Sequence, residues 1–265
     1  MELGGGARSE ARLFEATAPR ASVLVVPAMG VDARKYDGFG EALAALGVTA
    51  LVSELRGGAS SNVRAGRGVD YGYEDLLGDT VTHLAWLREK TQGPVHLLGH
   101  SLGGQLSVAG IARWHTPGAK VIVVGSGTVH FQAWSGLEKY RILLSTQFAG
   151  TVARVLGYFP GDALGFGGVQ GKRLIIDWAH ASRTGTFRLE HALEQFAPQV
   201  LAIHVKGDTY APRASTERLV RKLVNAQVTW ADVEPPAEPQ RQDPHFRWMK
   251  DPRAVAQTAA NFLTA

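Results

Sequence analysis

The strongest constraint on this chain is a rhythm. Short runs rich in Val, Ile and Leu alternate with stretches whose apolar residues recur at helical spacing. "SVLVVPA" from Ser22 reads as a strand, and the helical "ARKYDGFGEALAALG" follows it. "VTALVSEL" from Val48 precedes "YEDLLGDTVTHLAWLREK", and "VHLLG" from Val95 precedes "LGGQLSVAGIARW". "KVIVVG" from Lys120 ends this first series. Strands that are apolar on both faces, with helices between them, specify a parallel sheet covered on both sides. The βαβα order gives an α/β class with right-handed crossovers.

The rhythm breaks after Gly127. From His130 to Pro198 the chain is aromatic and helical in character, in "HFQAWSGLEKYRILLSTQFAGTVARVLGYFPG" and "KRLIIDWAHASRTGTFRLEHALEQF". It then resumes with the strand "QVLAIHV", the helix "APRASTERLVRKLV", the strand "AQVTWADV" and the helix "DPRAVAQTAANFLT". A stretch of about 70 residues without an obvious strand is far longer than an ordinary crossover. The expected organisation is therefore a core of residues 1–129 and 199–265, with residues 130–198 inserted as a helical cap. "EPPAEPQRQDP" is expected to be a surface loop ahead of the last helix. No internal repeat is found.

A chain of 265 residues, 45% of them hydrophobic, can bury a sizeable core. It has no cysteine, which excludes disulfides, thiolate metal sites and cysteine nucleophiles, and points to a reducing, cytoplasmic setting. The first twenty residues lack the charged and apolar regions of a secretory signal. No apolar run approaches the roughly 20 residues that span a bilayer, so no membrane insertion is expected. The formal net charge is +4, from scattered rather than blocked cations, which argues for a solvated surface and against a nucleic-acid partner. Oligomeric state is left open.

Chemistry concentrates in "LLGHSLGGQ", Leu97 to Gln105. Ser101 stands between Gly99 and Gly103, after a strand and before a helix. A nucleophile at the top of a sheet is best presented by a strand, one sharp turn and a helix. The residues two before and two after then press on neighbouring backbone, where a Cβ would clash. The helix N-terminus adds free N–H groups and partial positive charge where an oxyanion would form. A structural turn is the bland alternative in a chain with 31 glycines, but the strand–turn–helix setting favours the nucleophile.

"GHSLGG" in that setting resembles the α/β-hydrolase superfamily. "VLVVPAMGVDARKYDGFGEALAALG" and "ELRGGASS" are similar to the stretch ahead of the nucleophile in serine hydrolases of that fold. More closely, "PAMGV", "GHSLGGQL", "RVLGYFPG" and "GDTYAP" resemble a bacterial subgroup of serine hydrolases with no assigned substrate. The resemblance spans nearly the whole chain. It implies an α/β-hydrolase fold: a mostly parallel twisted sheet flanked by helices, with an inserted helical cap.

In that fold the triad follows the order serine, acid, histidine. A serine hydroxyl needs a base, and the base needs a third group to fix its tautomer. Nine histidines are present, but only His245, in "DPHFRW", follows the strand "QVLAIHV". His96 and His204 read as paired sheet residues, His100 as a tolerated neighbour of the serine, and His180 and His191 as cap-helix residues. Asp208 in "HVKGDTYAP" follows a strand and a glycine turn, and is preferred as the acid over Asp232 and Asp243. Its bland alternative is a helix cap or turn residue. The oxyanion hole takes one N–H from Leu102 and one from the loop after the first strand. That loop usually carries His-Gly in the superfamily. Here "PAMG" stands there, so the second donor is expected at Met29, with Ala28 the rival, and the methionine side chain is placed to shape an acyl pocket.

Other signals are weak. "GSGTVH" lacks the third glycine of a dinucleotide fingerprint, and "FGGVQGKR" lacks essential parts of a phosphate loop. Asp177 and His180 stand one helical turn apart without further ligands, so no metal and no cofactor are expected. Cap aromatics are mostly core, with Phe131, Trp134 and Trp178 taken as candidates to line a substrate pocket. The expected activity is a serine hydrolase that cleaves a small or medium apolar ester or thioester through an acyl-enzyme. Rival readings are an acyltransferase with the same triad and a ligand-binding protein that has kept the fold.

Overall fold

A computed structural model describes residues 1–237 and 242–265. The expected loop "EPPAEPQRQDP" falls partly on residues 238–241, which lie outside the described residues. The strands are β1 (Ala11–Phe14), β2 (Ala21–Val26), β3 (Val48–Ser53), β4 (Val95–His100), β5 (Val121–Val124), β6 (Tyr158–Pro160), β7 (Val169–Gly171), β8 (Gln199–Val205) and β9 (Gln227–Val233). The first four helices are α1 (Asp37–Ala45), α2 (Tyr73–Lys90), α3 (Leu102–Ala109) and α4 (Ile111–Trp114). The others are α5 (Glu138–Leu156), α6 (Gly161–Leu164), α7 (Lys172–Thr184), α8 (Arg213–Val220), α9 (Pro244–Arg247) and α10 (Arg253–Thr264).

Seven strands form one sheet in the order β1-β3-β2-β4-β5-β8-β9. Only β1 is antiparallel to its neighbour; the other pairings are parallel. Every residue of β2, β3, β4 and β5 is buried, as a sheet covered on both faces requires. Two apolar layers result. One packs α2, α3 and α4 on the sheet through Leu77, Leu84, Leu106 and Trp114. The other packs α1 and α10 on the opposite face through Phe39, Leu43, Val255 and Ala259. The chain has the mostly parallel, helix-flanked sheet of the α/β-hydrolase fold.

Four local features depart from the sequence expectation. The edge strand β1 is too short to show a period, yet it pairs with β3 and is tied down by Arg12 against Asp37. The helix expected over Leu102–Trp114 breaks at Gly110, where a Cβ would overlap Leu77 of α2. The region from 130 to 198, expected to hold no strand, contains the antiparallel pair β6–β7. Backbone pairing across a glycine-rich turn makes it: a side chain at Gly161 would strike the carbonyls of Phe166 and Gly168. His191, expected on a helix, stands in irregular chain ahead of a 3-10 turn at Leu193–Gln195.

Candidate active site

Ser101 occupies the turn between β4 and α3 with φ of 53° and ψ of −114°. That backbone is costly for a residue with a Cβ and persists only when its surroundings hold it. They do so here. Ser101 N–H donates to the Val124 carbonyl at 3.1 Å, and the Ser126 hydroxyl donates to the Ser101 carbonyl at 2.6 Å. Side chains at Gly99 and Gly103 would overlap the α3 backbone and the Val26 carbonyl respectively, so the bend closes only with glycine there.

Asp208 follows β8 and its side chain is sealed from water. Its Oδ1 accepts N–H bonds from Tyr210 at 2.9 Å and Ala211 at 2.8 Å. Its Oδ2 accepts from His245 Nδ1 at 2.8 Å. The carboxylate can only accept, so Nδ1 carries the proton and Nε2 of the neutral ring keeps its lone pair. His245 lies in α9, a single helical turn started by Pro244 and capped by Asp243, whose Oδ1 accepts the His245 N–H at 2.8 Å. Asp243 also accepts from the Thr209 hydroxyl, which ties that turn to the one carrying Asp208. Asp232, the other rival acid, sits on β9 and pairs with His204 at 3.1 Å and Arg213 at 3.0 Å. Gly125 makes room for the Asp208–His245 pair: a Cβ there would lie 2.9 Å from Asp208 Oδ2 and 3.3 Å from His245 Nδ1.

Ser101 and His245 line one cavity of about 130 Å³, together with Ala28, Met29, Leu102 and Gln105. No direct Ser101–His245 hydrogen bond is formed among the described residues; such contacts commonly tighten only when substrate is bound. The Ala28 N–H is already committed to the Tyr36 hydroxyl at 2.9 Å. Met29 N–H and Leu102 N–H have no acceptor among the described residues.

A model of the serine aminopeptidase S33 family matches residues 17–156, which carry Met29, Ser101 and Leu102 but neither Asp208 nor His245. The chain belongs to the serine aminopeptidase S33 family of α/β hydrolases. Its fold is similar to that of a metagenome-derived lipolytic enzyme of the LipS and LipT pair, at 16% identity over 99% of each chain with a TM-score of 0.65. It is also similar to a monoacylglycerol lipase of Paleococcus ferrophilus, at 15% identity over 97% of this chain and 98% of that one, TM-score 0.64. A carboxylesterase from the thaumarchaeon Nitrososphaera gargenis matches at 18% identity over 98% and 95%, TM-score 0.62. No curated protein sequence matches the chain.

Two larger chambers adjoin the Ser101 cavity of this S33-family hydrolase. The first, of about 520 Å³, shares Val129, Phe166, Trp178 and Tyr210 with it and continues past Ile142, Phe148 and Phe159. Its wall is a stack: Trp178 on Phe166 at 5.4 Å, and Phe166 on Tyr210 at 6.1 Å. The second, of about 400 Å³, shares Met29 and Leu102 and is polar, with Glu54, Arg56, Arg64 and Asp162 in its wall. Burial pushes the Glu54 carboxyl above its usual range.

Of the aromatics singled out in the sequence, Trp178 faces Ser101's cavity. Trp134 lines only the 520 Å³ chamber, and its indole N–H donates to the Thr209 carbonyl at 3.2 Å. Phe131 lines neither; it sits on a 3-10 turn with its ring edge-on to His130 at 5.0 Å. Phe166, Tyr210 and Phe246 line the Ser101 cavity without having been picked out. Tyr210 stood in the quoted "GDTYAP", but nothing in the sequence says which side of that turn its ring takes. Asp177 faces Arg188 at 3.5 Å, and among the described residues no group of three or more His, Cys, Asp or Glu side chains is placed to hold a metal.

Proposed function

We propose that the protein is a serine esterase working through Ser101, His245 and Asp208. His245 Nε2 takes the Ser101 proton as Oγ attacks the ester carbonyl. The N–H groups of Met29 and Leu102 hold the resulting oxyanion. His245 returns the proton to the departing alcohol oxygen, leaving an acyl-serine. Water, deprotonated by the same nitrogen, then attacks that acyl group, and collapse restores Ser101 and releases the acid. Asp208 keeps the imidazole in the required tautomer and offsets its charge while it is protonated.

The observation that carries this reading is the buried Asp208–His245 pair, whose imidazole lines one cavity with a serine held at positive φ. Residues 130–198 act as a cap over the core of 1–129 and 199–265, supplying Phe166 and Trp178 to the wall above Ser101. The aromatic chamber suits an apolar acyl group, and the polar chamber beyond Met29 suits the alcohol side.

Ser101→Ala tests the reading. It should reduce turnover of an activated ester to background, abolish labelling by a fluorophosphonate, and leave the melting temperature within a few degrees. Wild-type turnover in that variant would overturn it. A series of ester and thioester chain lengths on the intact protein then defines the acyl group.

A further inference from the structure

Helix α5 is built inside out. Its buried residues are small or short: Thr146, Ala149, Gly150 and Ala153. They pack closely on α7, where the Thr146 hydroxyl donates to that of Ser182 at 2.9 Å and Gln147 donates to the Ala179 carbonyl at 2.8 Å. The large apolar side chains of α5, with Leu137 that caps it, point the other way. Leu137, Tyr140, Leu144, Phe148 and Val155 are between 51% and 85% exposed, and they are five of the ten large apolar residues left exposed among those described. At 3.6 residues per turn they fall within roughly a quarter of the helix circumference. They therefore form one stripe, whereas exposed apolar residues on a soluble surface are normally scattered singly.

Two observations say what covers the stripe. It is continuous with the aromatic chamber: Phe148 belongs to both, and the exposed Leu164 and Tyr210 extend the apolar surface at that end. It is also cationic at its edges. Glu138 is the only acid on α5 and is consumed by Arg141, whereas Arg154 beside the stripe and Lys139, whose ammonium lies over the Tyr140 ring at 4.9 Å, have no carboxylate partner among the described residues. An apolar helix face that carries cations without carboxylate partners is the make-up of a helix that lies in a lipid interface, where buried apolar area and attraction to anionic headgroups add.

We propose that the α5 face docks this protein on an anionic lipid surface, with the mouth of the aromatic chamber turned toward the lipid. The protein binds peripherally and reversibly; no helix among the described residues is long and apolar enough to cross a membrane. The site's purpose rests on the esterase reading, since docking would deliver an apolar ester into the chamber that leads to Ser101. Docking itself does not require turnover.

The full chain carrying Ser101→Ala is mixed with vesicles of phosphatidylcholine and phosphatidylglycerol in equal parts, and with vesicles of phosphatidylcholine alone, and bound protein is measured by flotation. Strong binding to the anionic vesicles is expected, falling at high salt and on neutral vesicles. Adding Leu144→Glu and Val155→Glu, neither of which lines a chamber, should weaken it about tenfold or more. In the chain with Ser101 intact, the same two changes should leave turnover of a water-soluble short-chain ester within about twofold. That last measurement keeps docking separate from the esterase reading. Absence of vesicle binding, or binding that the two glutamates do not change, overturns the proposal. So does a stable dimer that the glutamates dissociate in a protein that ignores vesicles, since a second copy would then cover the face.

Discussion

The imidazole of His100 holds the main-chain carbonyl of His245, with Nε2 donating at 3.0 Å. A carbonyl only accepts, so Nε2 carries the hydrogen and Nδ1 accepts from the Tyr36 hydroxyl at 2.7 Å. Burial keeps the His100 ring neutral, with its pKa well below the usual value. The Tyr36 oxygen in turn accepts the Ala28 N–H at 2.9 Å. One chain of hydrogen bonds thus joins the loop that presents Met29 to the backbone of the proposed base. Tyr36→Phe leaves the Ala28 N–H and His100 Nδ1 without partners, at a cost of about 1–3 kcal/mol. It should lower kcat about tenfold or more with little change in KM, because both ends of the site lose their anchor. Steady-state kinetics and thermal unfolding of the variant check both parts.

Gly125 is the second control on the base. Its φ is +47°, and a methyl group there would press on the Asp208–His245 pair. Gly125→Ala should therefore cost about 1–3 kcal/mol in backbone strain and collision. Activity should fall by about a hundredfold or more as the imidazole is pushed aside. Denaturant titration and ester turnover of the variant separate the two losses; an active, stable alanine variant would contradict the proposed roles of the pair.

Asp208→Asn preserves shape while removing the acceptor that sets the tautomer. The amide nitrogen or oxygen then faces Nδ1, and the imidazolium formed in the reaction loses its counter-charge. By analogy with triad enzymes in general, kcat should drop by about a factor of 10³–10⁴. The equivalent changes at Asp232 and Asp243 should not match it: Asp232 pairs with His204 and Arg213, and Asp243 caps α9. A comparison of kcat across the three asparagine variants decides which acid serves the histidine.

Trp178 closes the aromatic chamber over Ser101 through its stack on Phe166. Trp178→Ala should raise KM for short acyl esters severalfold by removing apolar contact. It should also shift the preferred chain length upward, because the emptied volume admits a longer acyl group. Rates over a homologous series of esters read the shift directly.

Three buried histidines make stability depend on pH. Desolvation lowers the pKa of His83 and His96 to about 4 and that of His100 well below its usual value. Their folded pKa values lie under the unfolded value near 6.5, so the unfolded chain takes up protons first as pH falls. The contribution of His83 and His96 is fully present above that unfolded value and is lost from about pH 6.5 down to about 4, and that of His100 begins to be lost in the same range. Within that window each contributes a slope on the order of 1.4 kcal/mol per pH unit. His96 accepts the Lys120 N–H at 3.0 Å, and His96→Asn offers an acceptor that does not titrate. Unfolding curves at several pH values should show a steep loss in the wild type and a slope shallower by about one proton in the variant.

The fold was legible because its signals are local. Strands β2 to β5 announce themselves as short runs rich in Val, Ile and Leu, and α2 as a helical period bounded as expected at Tyr73 and Lys90. The bend at Ser101 was legible for the same reason: Gly99 and Gly103 are forced by contacts within the turn and with the adjacent β2. The short strands β1, β6 and β7 were not, since three or four residues carry no readable period and their pairing is made by backbone alone.

For the site, chain order left His245 as the candidate base, and a place just after a strand favoured Asp208, 37 residues earlier, over Asp232 and Asp243 as the candidate acid. Only the tertiary structure brought them to 2.8 Å beside Gly125 and put His245 in a cavity walled by Phe166, Trp178 and Tyr210. Phe131 and Trp134 were as plausible by composition, but a ring's side of a helix or turn is set by packing against partners distant in sequence. The sequence by itself determined which elements form and which bend carries the serine, because propensity, period and glycine sterics act over a few residues. Which side chains meet, and which apolar faces are left uncovered, was decided only by the packed arrangement, because those are contacts between segments that the linear order leaves far apart.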